Sequence, residues 1–404
     1  MKKLFLSIFA LVLVLAGCSS DSDTVKITLV QNKGEIQTGL TELAASYNES
    51  QDKYYVEVLP VANDPGAMKA QIASSEAPTI FTTNGFAQFQ QYKEYMATIP
   101  SDYSLLTSAL EGSTAMLEED GELYGLPAWI EGFAYVVNDD ILAEAGVTKE
   151  DLQTPEGLDE ACTKIEALDY QCINVPSGEG YFTAGQPVNP ALAQTDFETF
   201  ISDVEAGNAT LEDNEYFQDW VKFQEVQRDH AGQVLGNTYD NSIDSFATGQ
   251  SAILYQGNWI ESMLTTYDLD FSYSFAPMGV KDNDSISAYV AVNWHVNKNK
   301  SEEEQAGALD FLNWMYTNAD SQEKIASEFG VVAPYEGFDT SLYGELSKEV
   351  YEYYDAGKGL PLAISYLPEG FINNEFNALA EKFYDGQLTG EEYLQEVTKA
   401  LASV

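Results

Sequence analysis

Histidine and basic residues are scarce in this chain. Among 404 residues there are two histidines, three cysteines, and 19 lysines and arginines against 65 aspartates and glutamates. Two isolated histidines argue against a His-dependent catalytic triad and against a zinc site built on clustered imidazoles. A formal net charge of −46 argues against nucleic acid and anionic lipid surfaces as partners, because the long-range field repels polyanions, and it disfavours a strongly anionic small ligand for the same reason. The remaining charge reads as a solvated surface. No G-x-x-x-x-G-K-[ST] loop and no G-x-S-x-G elbow occurs. The run Asp282-Asn283-Asp284 lacks the glycine and distal glutamate of a calcium loop. Neither a cofactor nor a metal is expected. Paired carboxylates for glycoside hydrolysis stay open, since their separation is a three-dimensional quantity.

Long apolar runs are also nearly missing. The one at Leu4 to Leu15 follows Lys2 and Lys3 and is about 12 residues, the length of a signal-peptide core and too short to span a bilayer. It ends in Leu15-Ala16-Gly17-Cys18, which resembles a bacterial lipobox. The resemblance implies a signal peptide over 1–17 and lipid on Cys18, with 18–24 as a polar leash that tethers the protein without making it transmembrane. The other two cysteines, Cys162 and Cys172, stand ten apart. They form a disulfide in an exported protein, or Cys162 is ordinary core, because Leu158, Cys162, Ile165 and Leu168 share helical spacing.

What the chain has in quantity is aromatic residues: 25 Tyr, 20 Phe and 5 Trp. The stretch Gly121 to Asp140 organises them. It opens with the turn residues Glu119-Asp120-Gly121 and continues through Tyr124-Gly125-Leu126-Pro127. An exposed-looking Trp129 and a lone carboxylate, Glu131, follow inside an apolar run. Phe133, Tyr135 and Val137 then alternate as a strand does, and Asn138 supplies a helix cap.

Around this stretch the pattern is α/β. Val25, Ile27 and Leu29 make a strand, Ile36 to Tyr47 an amphipathic helix, and Tyr55 to Leu59 a second strand, a crossover that implies parallel pairing. Asp64-Pro65 reads as a cap opening the next helix, and Thr79 to Thr82 as a strand. Thr154-Pro155 caps the helix that carries Cys162, Cys172 to Val175 is a strand, and Pro176 to Thr183 is a loop. Ala252 to Tyr255 is a strand leading into Asn258 and Trp259. Tyr289 to Val296 alternates with Trp294 on its core face, and Ser301 and Thr389 open helices with capping boxes. His230 reads as surface.

Ligands in open α/β sheets sit beyond the carboxyl ends of strands. Lys33, Glu35 and Asn84 therefore point to one rim, with Glu131, Tyr181, Asn258 and Trp259 at later strand ends; Trp259 could instead be buried where its helix packs. A neutral sugar needs polar groups for its hydroxyl edges and flat aromatics for its C–H faces, and Trp129, Tyr181 and Trp259 supply the latter. Tyr366, in the helical remainder, completes the candidate set.

The order of these features resembles the extracellular solute-binding proteins of sugar-uptake ABC transporters, the group that contains maltose-binding protein. The matches are Asn32-Lys33-Gly34, Tyr124-Gly-Leu-Pro127 with Glu131, Tyr181-Phe182-Thr183, Phe246 to Gly249 with Ser251 to Leu254, Gly257-Asn-Trp259, and Val296 to Lys300. The resemblance implies a two-lobed periplasmic-binding-protein-like fold, each lobe a mostly parallel sheet flanked by helices, joined by hinge strands. The expected lobes are 25–130 with 280–332, and 131–279 with 333–404. It further implies a monomeric, non-enzymatic receptor that hands an oligosaccharide to permease subunits, with Lys33 and Glu131 on hydroxyls, Tyr181 and Trp259 on ring faces, and Asn84 in the first rim. Two alternatives stand beside it. One is a polyamine or other non-sugar ligand on the same fold; the other is a lipid-anchored hydrolase using Glu131 and Glu179.

Overall fold

A computed structural model describes residues 24–60, 65–74, 76–177 and 179–404. The signal segment, Cys18 and the cap at Asp64 lie outside the described residues. Eleven strands are present there: β1 Val25–Leu29, β2 Tyr54–Val58, β3 Ile80–Asn84, β4 Glu118–Glu119, β5 Glu122–Leu123, β6 Leu126–Asn138, β7 Gln171–Asn174, β8 Ser251–Gly257, β9 Tyr273–Ala276, β10 Ile286–Val296 and β11 Gly359–Leu360.

The main sheet runs β2-β1-β3-β10-β6-β8-β7, with β9 on β6 and β11 on β10. The outer strands pair in parallel, β1 with β2 and β3 at one end and β7 with β8 at the other. Between them the two longest strands, β6 and β10, run antiparallel from Ser287↔Phe133 to Trp294↔Leu126. Strands of 13 and 11 residues outlast any neighbour, so the same two ribbons serve both ends of the sheet. Their register shifts between Val290 and Asn293, which bends the ribbon at its middle. A third connection runs alongside, where Ile130 bridges Val332.

Local chemistry accounts for the element ends. Asp120 and Gly121 both have positive φ, 56° and 81°, as a two-residue hairpin turn between β4 and β5 requires. Asn138 accepts from the backbone N–H groups of Asp140 and Ile141, and Thr154 from that of Gly157, so both act as N-caps. Capping boxes at Ser301 and Thr389 start the helices Glu302–Thr317 and Gly390–Leu401. Cys162 and Cys172 are bonded to each other and also fully buried, so the disulfide and core readings both describe them.

The structure departs from the sequence reading at four places. Trp129 is 2% exposed, not on the surface; its ring meets Trp294 edge-on at 5.2 Å. It lies on a strand buried along its whole length, so alternation gave no cue to which face was wet. The 176–183 segment is loop only in its first part, because Tyr181–Gly185 forms a wide π-type turn leading into the helix Gln186–Leu192. Pro187 sits in that helix's first turn, where no N–H is needed, but Pro190 lies inside it, and this pair of prolines hides the helix in the sequence. The C-terminal remainder, expected to be helical, does carry the helix Glu345–Asp355 but also holds the short strand β11 at Gly359–Leu360. Finally, His230 is not a free surface residue: Asp159 and Glu166 hold it at 3.0 and 2.8 Å, and although partial burial opposes the charge, these two carboxylates raise its pKa.

Candidate functional site

The bend in β6 and β10 floors a cavity of about 600 Å³, within the size range of small-molecule sites. One wall carries Lys33, Glu35, Asn84 and Gln88, from the segments that follow β1 and β3. The opposite wall carries Tyr181, Phe182, Gln186, Tyr239 and Trp259, with Pro368, Glu369 and Asn373 from the last third of the chain. Glu131 and Tyr289, which face each other across the β6–β10 ladder, form the floor.

Lys33 is the one cation among these lining residues. Its ammonium lies 2.5 Å from Glu131 Oε1 and 3.1 Å from Glu35 Oε1, and its own backbone N–H donates to the Gln31 side chain. Burial works against the charge on Lys33, yet Glu131 and then Glu35 outweigh it and hold the pKa above its ordinary value. Burial, followed by the field of Glu131, pushes the Tyr181 phenol up, and burial with Tyr181 and Glu131 does the same at Tyr289. These hydroxyls stay protonated at neutral pH, so the cavity offers ammonium and phenol donors beside carboxylate acceptors.

The aromatic wall is built by close packing. Trp259 Nε1 donates to Gln256 Oε1 at 2.9 Å, which fixes the indole plane. Phe182 lies 4.8 Å from Tyr239 and 6.4 Å from Trp259 between ring centres. A Cβ on Gly257 would stand 2.2 Å from the Trp259 ring and 2.6 Å from the Gly132 carbonyl oxygen, so only glycine lets the indole lie back over the strand end. Gly180 similarly admits Ile372 and Asn377, where the turn at Tyr181–Gly185 meets a second π-type turn at Ile372–Phe376. Both turns contribute side chains to the cavity, in keeping with the association of such turns with functional sites.

Of the nine candidate ligand contacts, Lys33, Glu35, Asn84, Glu131, Tyr181 and Trp259 line this one cavity. Three do not. Trp129 is in the core. Asn258 is fully buried, where its side chain accepts from the Gly132 N–H and donates to Gly330 O and Ser347 Oγ, so it braces β6 from behind. Tyr366 lines a neighbouring cavity and stacks on Phe86 at 4.3 Å. Tyr239, Gln88, Gln186, Glu369 and Asn373 went unnoticed in the sequence; Phe182 adjoins Tyr181, but the others sit on helices or turns with no local signal. Glu179 is exposed and does not line the cavity. Among the described residues no group of His, Cys, Asp or Glu is arranged to hold a metal ion, and no helix is long and apolar enough to cross a membrane.

A family model described as bacterial extracellular solute-binding protein matches residues 42–349. A comparison with curated protein sequences returns no match. Solved structures agree over nearly the whole chain. A family 1 extracellular solute-binding protein from Bifidobacterium longum subsp. infantis is 19% identical, covers 94% of this chain and 100% of its own, and has a TM-score of 0.72. RafE in complex with raffinose is 16% identical, with coverage of 94% and 99% and a TM-score of 0.78. The substrate-binding protein Lmo0181 from Listeria monocytogenes, in complex with cycloalternan, is 17% identical, with coverage of 94% and 99% and a TM-score of 0.70.

Proposed function

The chain belongs to the bacterial extracellular solute-binding proteins, and from that premise we propose that its cleft captures a neutral oligosaccharide for an ABC importer and releases it chemically unchanged. The observation that carries this reading is the pairing of donors and acceptors with a wall of aromatic faces: Lys33, Glu35 and Glu131 oppose Tyr181, Tyr239 and Trp259 across one cavity. Hydroxyl edges suit the first group and C–H ring faces the second. Structures of the same fold carry raffinose and cycloalternan, which supports the sugar class.

The lobes on either side of the cleft are 25–130 with 280–332 and 131–279 with 333–404, with one refinement. We place the crossing of β10 at its register shift between Val290 and Asn293, because Ile286 and Ser287 pair with β11 while Val292 to Val296 pair with β3. Ligand touching both walls favours the closed arrangement by its differential contacts, and the closed complex docks on permease subunits. Cys18 carries lipid, which holds a monomeric receptor on the outer face of the membrane.

Hydrolysis by Glu131 and Glu179 draws no support from the geometry, since Glu179 lies outside the cavity and Glu131 is held by Lys33. The test is titration against malto-, fructo-, xylo-, manno- and raffinose-type oligosaccharides, with recovered ligand checked by chromatography. Saturable 1:1 binding with intact sugar supports a transport receptor. Cleaved sugar would move the reading to a hydrolase, and silence across the panel to a non-sugar ligand such as a polyamine.

A further inference from the structure

The helix Gln186–Leu192, which follows the wide turn at Tyr181–Gly185, treats two amides on one side of it in opposite ways. Asn189 is fully buried and uses its whole side chain: Nδ2 donates to Ser287 Oγ at 2.9 Å and to Pro361 O at 3.0 Å, and Oδ1 accepts from the Ile364 N–H at 3.2 Å. Gln186 stands three residues earlier, hence beside it on the helix surface. It lines the cavity and is only 2% exposed, yet its Oε1 has no hydrogen-bond partner, and no other group among the described residues pairs with its amide. Burying an amide unpaired is unfavourable, so a ligand group that pairs with Gln186 relieves that penalty on binding.

The surroundings of this amide are apolar. Asn189 draws the segment Pro361–Ile364 over the helix, which brings Leu362 and Ile364 into the cavity wall. Ile372, also in that wall, packs on the residue before Gln186: a Cβ on Gly185 would stand 3.0 Å from Ile372 Cγ2. The charged groups Lys33, Glu35 and Glu131 are meanwhile paired with one another. A sugar hydroxyl suits a free amide but gains nothing from aliphatic neighbours. An acetamido group suits both, because its C=O accepts from a primary amide, its N–H donates to one, and its methyl is stabilised by an apolar recess.

We propose that Gln186, with Leu362, Ile364 and Ile372, selects a saccharide that carries an N-acetyl group, the acetamide pairing with the Gln186 amide and its methyl lying against the three aliphatic side chains. The inference rests on the sugar reading and narrows its substrate class to neutral oligosaccharides of N-acetylated hexosamines.

The experiment is calorimetric titration with a chitin-derived and a cellulose-derived oligosaccharide of equal length, which share one linkage and differ only in bearing an acetamido or a hydroxyl group beside each anomeric carbon. The parent binds the acetylated ligand roughly ten- to hundred-fold more tightly, the scale of leaving a buried polar group paired or unpaired. Gln186→Leu, similar in volume and without polar atoms, shrinks that ratio to about three-fold or less by weakening the acetylated ligand, while its urea midpoint stays at or above the parent's because an unpaired buried amide is gone. Equal affinity of the parent for both ligands, or a ratio that survives Gln186→Leu, overturns the inference and leaves the sugar reading intact. Binding of another sugar of the panel, with neither member of this pair bound, does the same. The parent's ratio decides by itself should Gln186→Leu fail to fold. If no saccharide, acetylated or not, binds the parent, the sugar reading falls and this inference with it.

Discussion

Removing the cation at the centre of the cleft tests how its charges are balanced. Lys33 and Glu131 meet at 2.5 Å with only 12% and 11% of their side chains exposed. At an effective dielectric of about 20 their gross attraction is roughly 7 kcal/mol, and desolvation of both groups cancels much of it. Breaking such a pair from one side costs about 3–5 kcal/mol, because the other charge is left without a partner. Residual exposure and the nearby cavity place Lys33→Met at the low end, about 3 kcal/mol. Glu35 adds little compensation, being 47% exposed at 3.1 Å. Lys33→Met combined with Glu131→Gln removes both charges and should recover most of the loss. Urea unfolding of the parent, both single variants and the double variant gives the coupling directly. Single-variant losses under about 1 kcal/mol that simply add would refute the claim that the pair is a desolvated unit.

Three further outcomes follow from other parts of the structure. His295 is fully buried, donates from Nδ1 to Tyr124 O at 2.8 Å and accepts at Nε2 from the Thr83 hydroxyl at 2.7 Å; burial lowers its pKa from 6.5 to about 4, outweighing the Tyr124 contact. Its folded pKa is depressed, so the stability it contributes is present above pH 6.5 and is lost as pH falls toward 4, about 3 kcal/mol in all; urea midpoints of His295→Gln should lack that part of the parent's slope. Gly257→Ala pushes a methyl into the Trp259 ring and the Gly132 carbonyl, so thermal stability should drop by about 1–3 kcal/mol and sugar affinity should fall with it. Glu261 accepts from Leu346 N at 2.7 Å, Ser347 N at 3.1 Å and Ser347 Oγ at 2.7 Å, capping the helix Glu345–Asp355 from a distant part of the chain; Glu261→Ala should cost about 2–4 kcal/mol in chemical denaturation.

The fold was legible wherever a local pattern met a local cause. Alternation over Val25–Leu29, the cap at Asn138 and the capping boxes at Ser301 and Thr389 each need only a few neighbouring residues, and each element forms where its signal stands. Site residues at strand ends were legible for the same reason, since topology sends Lys33, Asn84 and Trp259 to one crevice. What failed was any question of which face is wet on a strand buried on both sides. Trp129 and Glu131 share β6, two positions apart, yet Glu131 lines the cavity opposite Tyr289 while Trp129, opposite Val292 past the register shift, meets Trp294. Asn258 misled differently: an amide at a strand end looks available to ligand, but here it satisfies backbone groups from two distant segments. Glu369 and Asn373 reach the cleft from segments more than 230 residues after Glu131, a juxtaposition no spacing rule contains.

The central claim is that a sugar lies between the Lys33–Glu131 floor and the aromatic wall. It is tested most directly by titrating the best saccharide of the panel into the parent, Tyr181→Ala and Trp259→Ala by calorimetry, with urea unfolding run on the same samples. The account predicts 1:1 binding to the parent and a loss of about 1–3 kcal/mol in each variant, with unfolding still cooperative. Equal affinity in all three proteins would contradict it and place the ligand elsewhere.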